Sequence, residues 1–227
     1  MTTTLITGAT RGLGKEAACQ LVAAGHTVYV GARDEARGRA VAEELGARFV
    51  QLDVTDDASV AAAFARIEAD GGLDVLVNNA GIAMLALNGP DALAVFDTNA
   101  VGVVRVTEAA LPLLRRSANP VVVNVSSALG SFWANHSPDR PASQVSAIVY
   151  GASKAAVSML TVQYARAVPE VRFNAVEPGY TATELGGQEN PHGRPVEVSA
   201  RNIVRMAVIG ADGPTGTFQE DDAELGW

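Results

Sequence analysis

Tyr150 and Lys154 have residue types and a spacing that suit proton transfer. At positions i and i+4 of a helix two side chains share one face, one turn apart. A phenol has a reference pKa of about 10, and a neighbouring ammonium lowers that value because it stabilises the phenolate. Lysine is informative here because only Lys15 and Lys154 among the 17 lysines and arginines are lysine. The pair therefore predicts acid–base chemistry near neutral pH.

Ser126 and Ser127 follow a run of valines that predicts a buried strand. A hydroxyl at the carboxyl end of such a strand can donate to a carbonyl oxygen, although both serines could merely end the strand. A serine hydrolase fits worse, because the residues around Ser153 read Gly-Ala-Ser-Lys-Ala and lack the last glycine of a nucleophile elbow. The histidines have no ligand spacing, so we predict no metal site, and the lone cysteine, Cys19, is expected to pack in the core.

A glycine-rich loop separates the first predicted strand from the first helix. Glycines permit a tight turn and a close approach of the backbone to a pyrophosphate, which the helix N-terminus then attracts. The spacing Gly-x-x-x-Gly-x-Gly differs from the standard dinucleotide fingerprint, and a structural turn without a ligand is the alternative. The loop residues that we predict to bind a cofactor are Gly8, Thr10, Arg11, Gly12, Leu13 and Gly14.

Charged residues follow the second and third predicted strands. Arg33 at the end of the second strand suits the 2′-phosphate of NADP(H), with Arg11 as a second cation, whereas an acidic residue there selects NAD(H). Asp34 keeps NAD(H) open, although it could instead cap the next helix. Asp53 and Val54 are also predicted to bind the cofactor; Asp53 either accepts from the adenine amine or caps the following helix. NADP(H) is the predicted cofactor.

Apolar β-branched runs alternate with longer stretches of helical period along the chain. Alternation of this kind predicts a single α/β domain over residues 1–227: a doubly wound Rossmann-type parallel sheet of about seven strands with helices on both faces. Strands are predicted at 3–7, 27–31, 48–52, 73–77, 121–125 and 171–176, and helices at 14–24, 36–45, 58–69, 95–116, 149–167 and 196–209. Residues 133–144 and 186–195 are polar and turn-rich, and we predict irregular structure there.

Composition narrows the classes of partner. A net charge of −8 argues against a nucleic-acid or anionic-membrane surface. No apolar run reaches the roughly 18 residues that span a bilayer, and no secretory signal is visible, so the cytoplasm is the expected location.

These residues together resemble the short-chain dehydrogenase/reductase family over essentially the whole chain. The similarity lies in blocks that occur in the family's order: the glycine loop 7–14, Asn78-Asn79-Ala80-Gly81, Asn99 within 97–102, the strand ending in Ser126-Ser127, Tyr150-x-x-x-Lys154, and the segment 178–183. The C-terminal segment 213–227 looks like bacterial members of the carbonyl-reductase branch.

The resemblance implies a role for each matching position. Ser127 looks like the carbonyl-binding serine, Tyr150 like the general acid, and Lys154 like the residue that tunes Tyr150 and anchors the cofactor ribose. Asn99 looks like the residue that holds a proton-relay water. Cofactor contacts are implied for Asn79, Ala80, Gly81, Pro178, Gly179, Thr181 and Thr183.

More residues separate Ser127 from Tyr150 along the chain than is commonest in the family. The extra residues fall at about 132–148. A longer insertion here covers the tetramer helices in monomeric carbonyl reductases, so we leave monomer and homo-oligomer both open. The substrate loop, about 184–196, is short. Nearby apolar residues suggest an apolar ketone or aldehyde as substrate, unless they merely pack in the core: Met84, Leu85, Leu87, Phe132 and Trp133.

The sequence therefore predicts an NADP(H)-dependent oxidoreductase that interconverts a carbonyl and an alcohol of a small-molecule substrate. A regulator that senses NADP(H) without catalysis is the alternative from another class. Dehydration or epimerisation on the same fold is a second alternative, because the same acid–base groups could serve it.

Overall fold

The computed structural model describes residues 1–84, 88–183, 185, 192–221 and 223–227. Its centre is an eight-stranded sheet in the order β3-β2-β1-β4-β5-β6-β7-β8. The strands are β1 Thr3–Thr7, β2 Thr27–Ala32, β3 Arg48–Gln51, β4 Val75–Asn78, β5 Val121–Val125, β6 Arg172–Glu177, β7 Thr217–Glu220 and β8 Ala223–Glu224. Neighbouring strands run parallel, except that β8 pairs antiparallel with β7. The doubly wound fold is confirmed, and β8 is the strand beyond the expected seven.

Helices cover both faces of the sheet. They are α1 Gly12–Ala23, α2 Glu35–Leu45, α3 Asp57–Ala69, α4 Gly89–Phe96, α5 Gly102–Leu114, α6 Phe132–His136, α7 Ile148–Ala167 and α8 Val196–Ala207. The apolar sides of α3 and α5 form one core with the sheet, and those of α1, α2 and α8 form the other. The strands β2, β4 and β5 are buried on both faces along nearly their whole length, which explains why their sequences are largely apolar.

Two predicted segments differ in detail from the structure. The single helix expected at 95–116 begins earlier, and a π-helical segment, Asp97–Val101, separates α4 from α5. The stretch 133–144, expected to be irregular, contains α6 and a 3₁₀ helix, Pro141–Gln144. The Ser131 side chain accepts from Ala134 N at 2.9 Å and so caps α6. The expectation that Cys19 packs in the core is wrong, because Cys19 is exposed on the surface of α1.

The sheet brings the carboxyl ends of β1, β4, β5 and β6 to one edge. Ligands of doubly wound folds bind at this edge. None of the helices in the described part of the chain is long and apolar enough to cross a membrane.

Candidate active site

The glycine loop between β1 and α1 packs tightly against the residues that follow β4. Gly8 has φ +65°, and a Cβ there would lie 2.9 Å from Ala80 Cα. A Cβ on Gly14 would lie 2.4 Å from Asn79 Nδ2. Both positions therefore require glycine. Because no side chain projects from them, the loop backbone is also able to approach a ligand closely.

The N-terminus of α1 differs from those of the next two helices. Asp34 caps α2 and Asp56 caps α3, whereas α1 has neither a side-chain cap nor an acidic residue in its first turn. Its first N–H groups and the positive end of its dipole suit an anionic group. Leu13 packs against the core, and Gly12 lies under Thr183, whose Cγ2 is 3.3 Å from the position of a Gly12 Cβ. This cradle fits the pyrophosphate of a dinucleotide.

The segment after β4 connects to the glycine loop through hydrogen bonds. Thr7 Oγ1 accepts from Asn79 N at 3.0 Å and from Ala80 N at 2.9 Å. The Asn79 amide donates to Thr7 O at 2.8 Å. Asn78 instead faces the core, where its amide donates to Asn124 Oδ1 at 2.9 Å. Asn79 therefore shapes the loop, and Asn78 supports the sheet beneath it.

The ends of β2 and β3 carry the charges expected near an adenosine ribose. Arg33 is exposed. Asp34 Oδ1 accepts from Arg37 N at 3.0 Å, so its carboxylate is committed to capping α2. Asp53 does not cap α3, because Asp56 does; it accepts from Thr55 N at 2.9 Å. Burial opposes ionisation of Asp53, but the Thr55 hydrogen bonds and the charge of Arg33 hold its pKa below the ordinary value.

The two serines after β5 face different surroundings. Ser126 is buried, and its hydroxyl bonds Lys154 O at 3.1 Å and Ser158 Oγ at 3.0 Å. Ser127 Oγ accepts from Leu129 N at 3.2 Å, and its hydroxyl lies close enough to the Tyr150 phenol to favour a lower pKa of that phenol. Ser126 therefore holds α7 against the sheet, and Ser127 lies with Tyr150.

Lys154 lies directly beneath Tyr150. Its side chain is 4% exposed, and Nζ donates to Val125 O at 2.8 Å. Nζ also lies 5.7 Å from the centroid of the Tyr150 ring. The carbonyl that anchors the ammonium thus belongs to the last residue of β5, just before the two serines, and three side chains predicted from the sequence meet at this point.

Asn99 lies beside Lys154 in the π-helical segment. Its amide donates to Ile82 O at 2.9 Å and to Ser153 Oγ at 3.0 Å, and its Oδ1 accepts from Ile82 N at 2.8 Å. A Cβ on Gly81 would lie 3.4 Å from Asn99 Oδ1 and 3.6 Å from Lys154 Nζ. Asn99 therefore fixes the chain after β4 against α7.

Comparison with known proteins agrees with this arrangement. The family model of short chain dehydrogenases matches residues 2–193. The chain belongs to the short-chain dehydrogenase family. The expected family and its oxidoreductase class are thereby confirmed, and the bacterial affiliation expected from the C-terminal segment stays a prediction.

This short-chain dehydrogenase is similar to several named reductases. Carbonyl reductase (NADPH) 1 of Sus scrofa is 34% identical, with 98% of this chain and 93% of the relative covered. (−)-Isopiperitenone reductase of Mentha piperita is 30% identical, with coverages of 97% and 96%. The solved structure of NADPH-bound carbonyl reductase from chicken fatty liver has a TM-score of 0.87 at 27% identity, with coverages of 100% and 99%.

The turn after β6 closes the site of this short-chain dehydrogenase. Pro178 precedes Gly179, which has φ +81° and would bring a Cβ within 2.7 Å of Arg194 Nη1. Thr181 Oγ1 donates to Gly179 O at 2.8 Å and bonds Ser199 Oγ at 2.9 Å, so its hydroxyl supports the turn. Of the short loop expected at 184–196, residues 184 and 186–191 lie outside the described residues.

Sequence reasoning missed Glu177, the last residue of β6. Its carboxylate is buried and accepts hydrogen bonds from Ala128 N and Gly179 N. A lone glutamate after an apolar strand carries no local pattern. The available signal was its place next to Pro178-Gly179, at the edge where the other site residues gather.

Burial governs the protonation of the central pair. It raises the pKa of Tyr150 above the ordinary value; the charge of Glu177 adds to this effect and the nearby Ser127 hydroxyl opposes it. The expected lowering of the Tyr150 pKa is therefore wrong for the protein alone, because desolvation of the phenolate outweighs the other effects. Burial lowers the pKa of Lys154 to about 8, against the opposing charge of Glu177.

Proposed function

We propose that this short-chain dehydrogenase interconverts a carbonyl and an alcohol with NADP(H), and that Tyr150 is its general acid and base. The observation that carries the proposal is the meeting of Ser127, Tyr150 and Lys154 at the end of β5. A hydroxyl donor, a protonated phenol and a buried ammonium are the groups that carbonyl reduction requires.

The nicotinamide, when bound, supplies the hydride. Ser127 donates a hydrogen bond to the substrate oxygen and orients the carbonyl. Tyr150, whose raised pKa keeps the phenol protonated at neutral pH, gives its proton to that oxygen. Lys154 stabilises the phenolate that remains. Asn99, which bonds Ile82 and Ser153, shapes the path by which a proton returns.

Preference for NADP(H) is supported by the ends of β1 and β2. Arg33 is exposed at the ribose position and Arg11 lies in the glycine loop. The acidic alternative is weakened, because the Asp34 carboxylate accepts from Arg37 N. A guanidinium binds a dianionic phosphate through charge-assisted hydrogen bonds.

An apolar substrate is supported by exposed apolar residues on the segments that follow Ser127 and β6. Phe132 is 72% exposed and Trp133 is 50% exposed on the segment after Ser127, and Tyr180 in the turn after β6 is also 72% exposed. Met84 is exposed as well, so none of these side chains is buried in the core. Leu85 and Leu87 lie outside the described residues. Exposed apolar groups on the segments that follow the site strands suit the body of an apolar ketone or aldehyde.

The function is tested by fluorescence titration with NADPH and NADH, followed by NADPH oxidation with a panel of apolar and polar ketones and aldehydes. We expect tighter binding of NADPH and faster turnover of apolar carbonyls. Arg33→Ala is expected to weaken NADPH binding about 10- to 100-fold with little effect on NADH, because it removes hydrogen bonds to a charged phosphate. Arg39→Ala, which removes an exposed arginine paired with Glu35, is the matched control.

Other outcomes would contradict separate parts of the proposal. Tight NADPH binding without turnover of any carbonyl would favour a cofactor sensor or non-redox chemistry. A preference for NADH that Arg33→Ala leaves unchanged would contradict the ribose assignment.

The adjacent serines provide a matched pair of variants. Ser127→Ala is expected to lower kcat about 10²- to 10³-fold, which is the usual cost of removing one hydrogen-bond donor to a developing oxyanion. Ser126→Ala is expected to lower the free energy of unfolding by about 1–3 kcal/mol, because it leaves Lys154 O and Ser158 Oγ with a lost partner, and to leave kcat nearly unchanged. Steady-state kinetics and thermal unfolding of both variants check this. Equal losses of kcat would contradict the assignment to Ser127.

A further inference from the structure

The carboxylate of Glu177 spans two loops of the site. One oxygen accepts from the N–H of Ala128, the residue after Ser127. The other accepts from Gly179 N at 2.8 Å, in the turn that follows β6. The side chain belongs to a residue that is only 8% exposed, so both hydrogen bonds lie away from bulk water. A single carboxylate thus sets the spacing between the Ser127 loop and the turn 178–183.

The same carboxylate acts electrostatically on the central pair. Its charge opposes ionisation of Tyr150 and favours the charged form of Lys154. Burial raises the pKa of Glu177 above the ordinary value, and the hydrogen bonds from two backbone N–H groups partly oppose this rise. Burying an acid costs free energy that a neutral residue of the same size would not, so this position indicates a role beyond filling space.

The charged groups around Glu177 come from three described elements. Tyr150 and Lys154 face it from α7, and Glu220 lies opposite it in the register of β6 and β7. Arg140 lies just before the helix 141–144. The charge of Glu177 raises the pKa of Arg140, but Arg140 forms a bidentate ion pair with Glu220. Asn202 of α8 donates to the main-chain oxygen of Glu177 at 3.2 Å and carries no charge. The arginine is therefore neutralised by Glu220, and Lys154 remains as the counter-charge of Glu177.

We propose that Glu177 is a positioning residue of the active site, which ties the Ser127 loop to the turn 178–183 and places a negative charge beside Tyr150 and Lys154. This inference rests on the proposed function, because it assigns Glu177 to the same reaction. Glu177 touches neither the substrate oxygen nor the proton that moves. It acts through the loop of Ser127 and through the field at the two groups that carry the proton.

Two variants separate the tie from the charge. Glu177→Gln keeps the size but loses the charge and one acceptor, and Glu177→Asp keeps the charge but is one methylene too short to span both N–H groups. Each variant is expected to lower kcat/KM for carbonyl reduction about 10- to 100-fold, because the reacting groups are misplaced. A pH profile distinguishes them. In Glu177→Gln the alkaline fall of the reduction rate is expected about one pH unit lower, because Tyr150 and Lys154 both lose their protons more easily without the carboxylate. In Glu177→Asp the fall is expected at the wild-type pH.

Amide hydrogen exchange of the folded full-length chain gives a readout independent of catalysis. Faster exchange at both 126–131 and 178–183 is expected in either variant, with thermal unfolding as a check on folding. Unchanged exchange in both segments, or a reduction profile in Glu177→Gln that keeps the wild-type alkaline fall, would overturn the proposal. If the wild type reduces no carbonyl, the proposed function fails; faster exchange in both segments then still supports the tie, and unchanged exchange rejects it. Should Glu177→Gln not fold, Glu177→Asp carries the exchange test.

Discussion

Tyr150→Phe is expected to lower the turnover of carbonyl reduction by about 10²- to 10⁴-fold, the usual contribution of a positioned general acid. The change removes only the phenolic hydroxyl. The ring stays over Lys154, and the glycine loop and the N-terminus of α1 are untouched. NADPH binding is therefore expected to stay close to wild type. Stopped-flow reduction and fluorescence titration measure the two quantities separately.

Tyr164→Phe is the matched control for this variant. It removes a hydroxyl from the same helix, α7, but one that donates to Glu108 Oε1 at 2.7 Å rather than facing Ser127. We expect its turnover to equal that of the wild type. Turnover retained by Tyr150→Phe, or lost equally by both variants, would exclude Tyr150 as the proton donor.

The fold could be predicted from the sequence because the strands β1 to β6 each have their own local pattern, whereas β7 and β8 have none that was recognised. Runs such as Val121–Val125 are apolar except for Asn124, and in a parallel sheet both faces of a central strand are buried. The break in the helix before α5 was not predictable in this way. A π-helical turn depends on what the residue contacts, and here the Asn99 amide bonds Ile82 and Ser153 from distant parts of the chain.

The candidate site was predictable where function constrains spacing along the chain. Tyr150 and Lys154 share one helix, and glycines at fixed intervals mark the loop before α1, so both features are legible in a single sequence. Glu177 was missed because its partners, Ala128 and Gly179, are joined to it by sheet topology rather than by spacing. The protonation of Tyr150 was misjudged for a similar reason. The nearby lysine is visible in the sequence, but the burial that raises the pKa of Tyr150 is a property of the whole fold.

Lys154→Met is expected to reduce catalysis and raise stability together. Burial lowers the pKa of Lys154 to about 8, so the folded protein bears a cost for the ammonium at neutral pH. Because the unfolded chain binds more protons between this pKa and the ordinary value, the contribution of Lys154 makes the wild type more stable as pH rises above about 8. The variant removes the buried charge but leaves Val125 O without its donor. We expect a net gain of about 1–2 kcal/mol in the free energy of unfolding at pH 7.

The catalytic effect has the opposite sign. Without the ammonium the Tyr150 phenolate loses its neighbouring cation, and turnover is expected to fall by about 10²-fold or more. The alkaline fall of the wild-type reduction rate, expected near pH 8 from the Lys154 pKa, should also disappear from the residual activity. Lys15→Met is the matched control, since Lys15 pairs with Glu44 on the surface at 2.8 Å and should leave both properties nearly unchanged. A variant that is less stable and fully active would show that Lys154 only supports the fold. A buried catalytic cation predicts greater stability together with lost turnover. Desolvation of the ammonium destabilises the folded protein, whereas its charge supports the reaction.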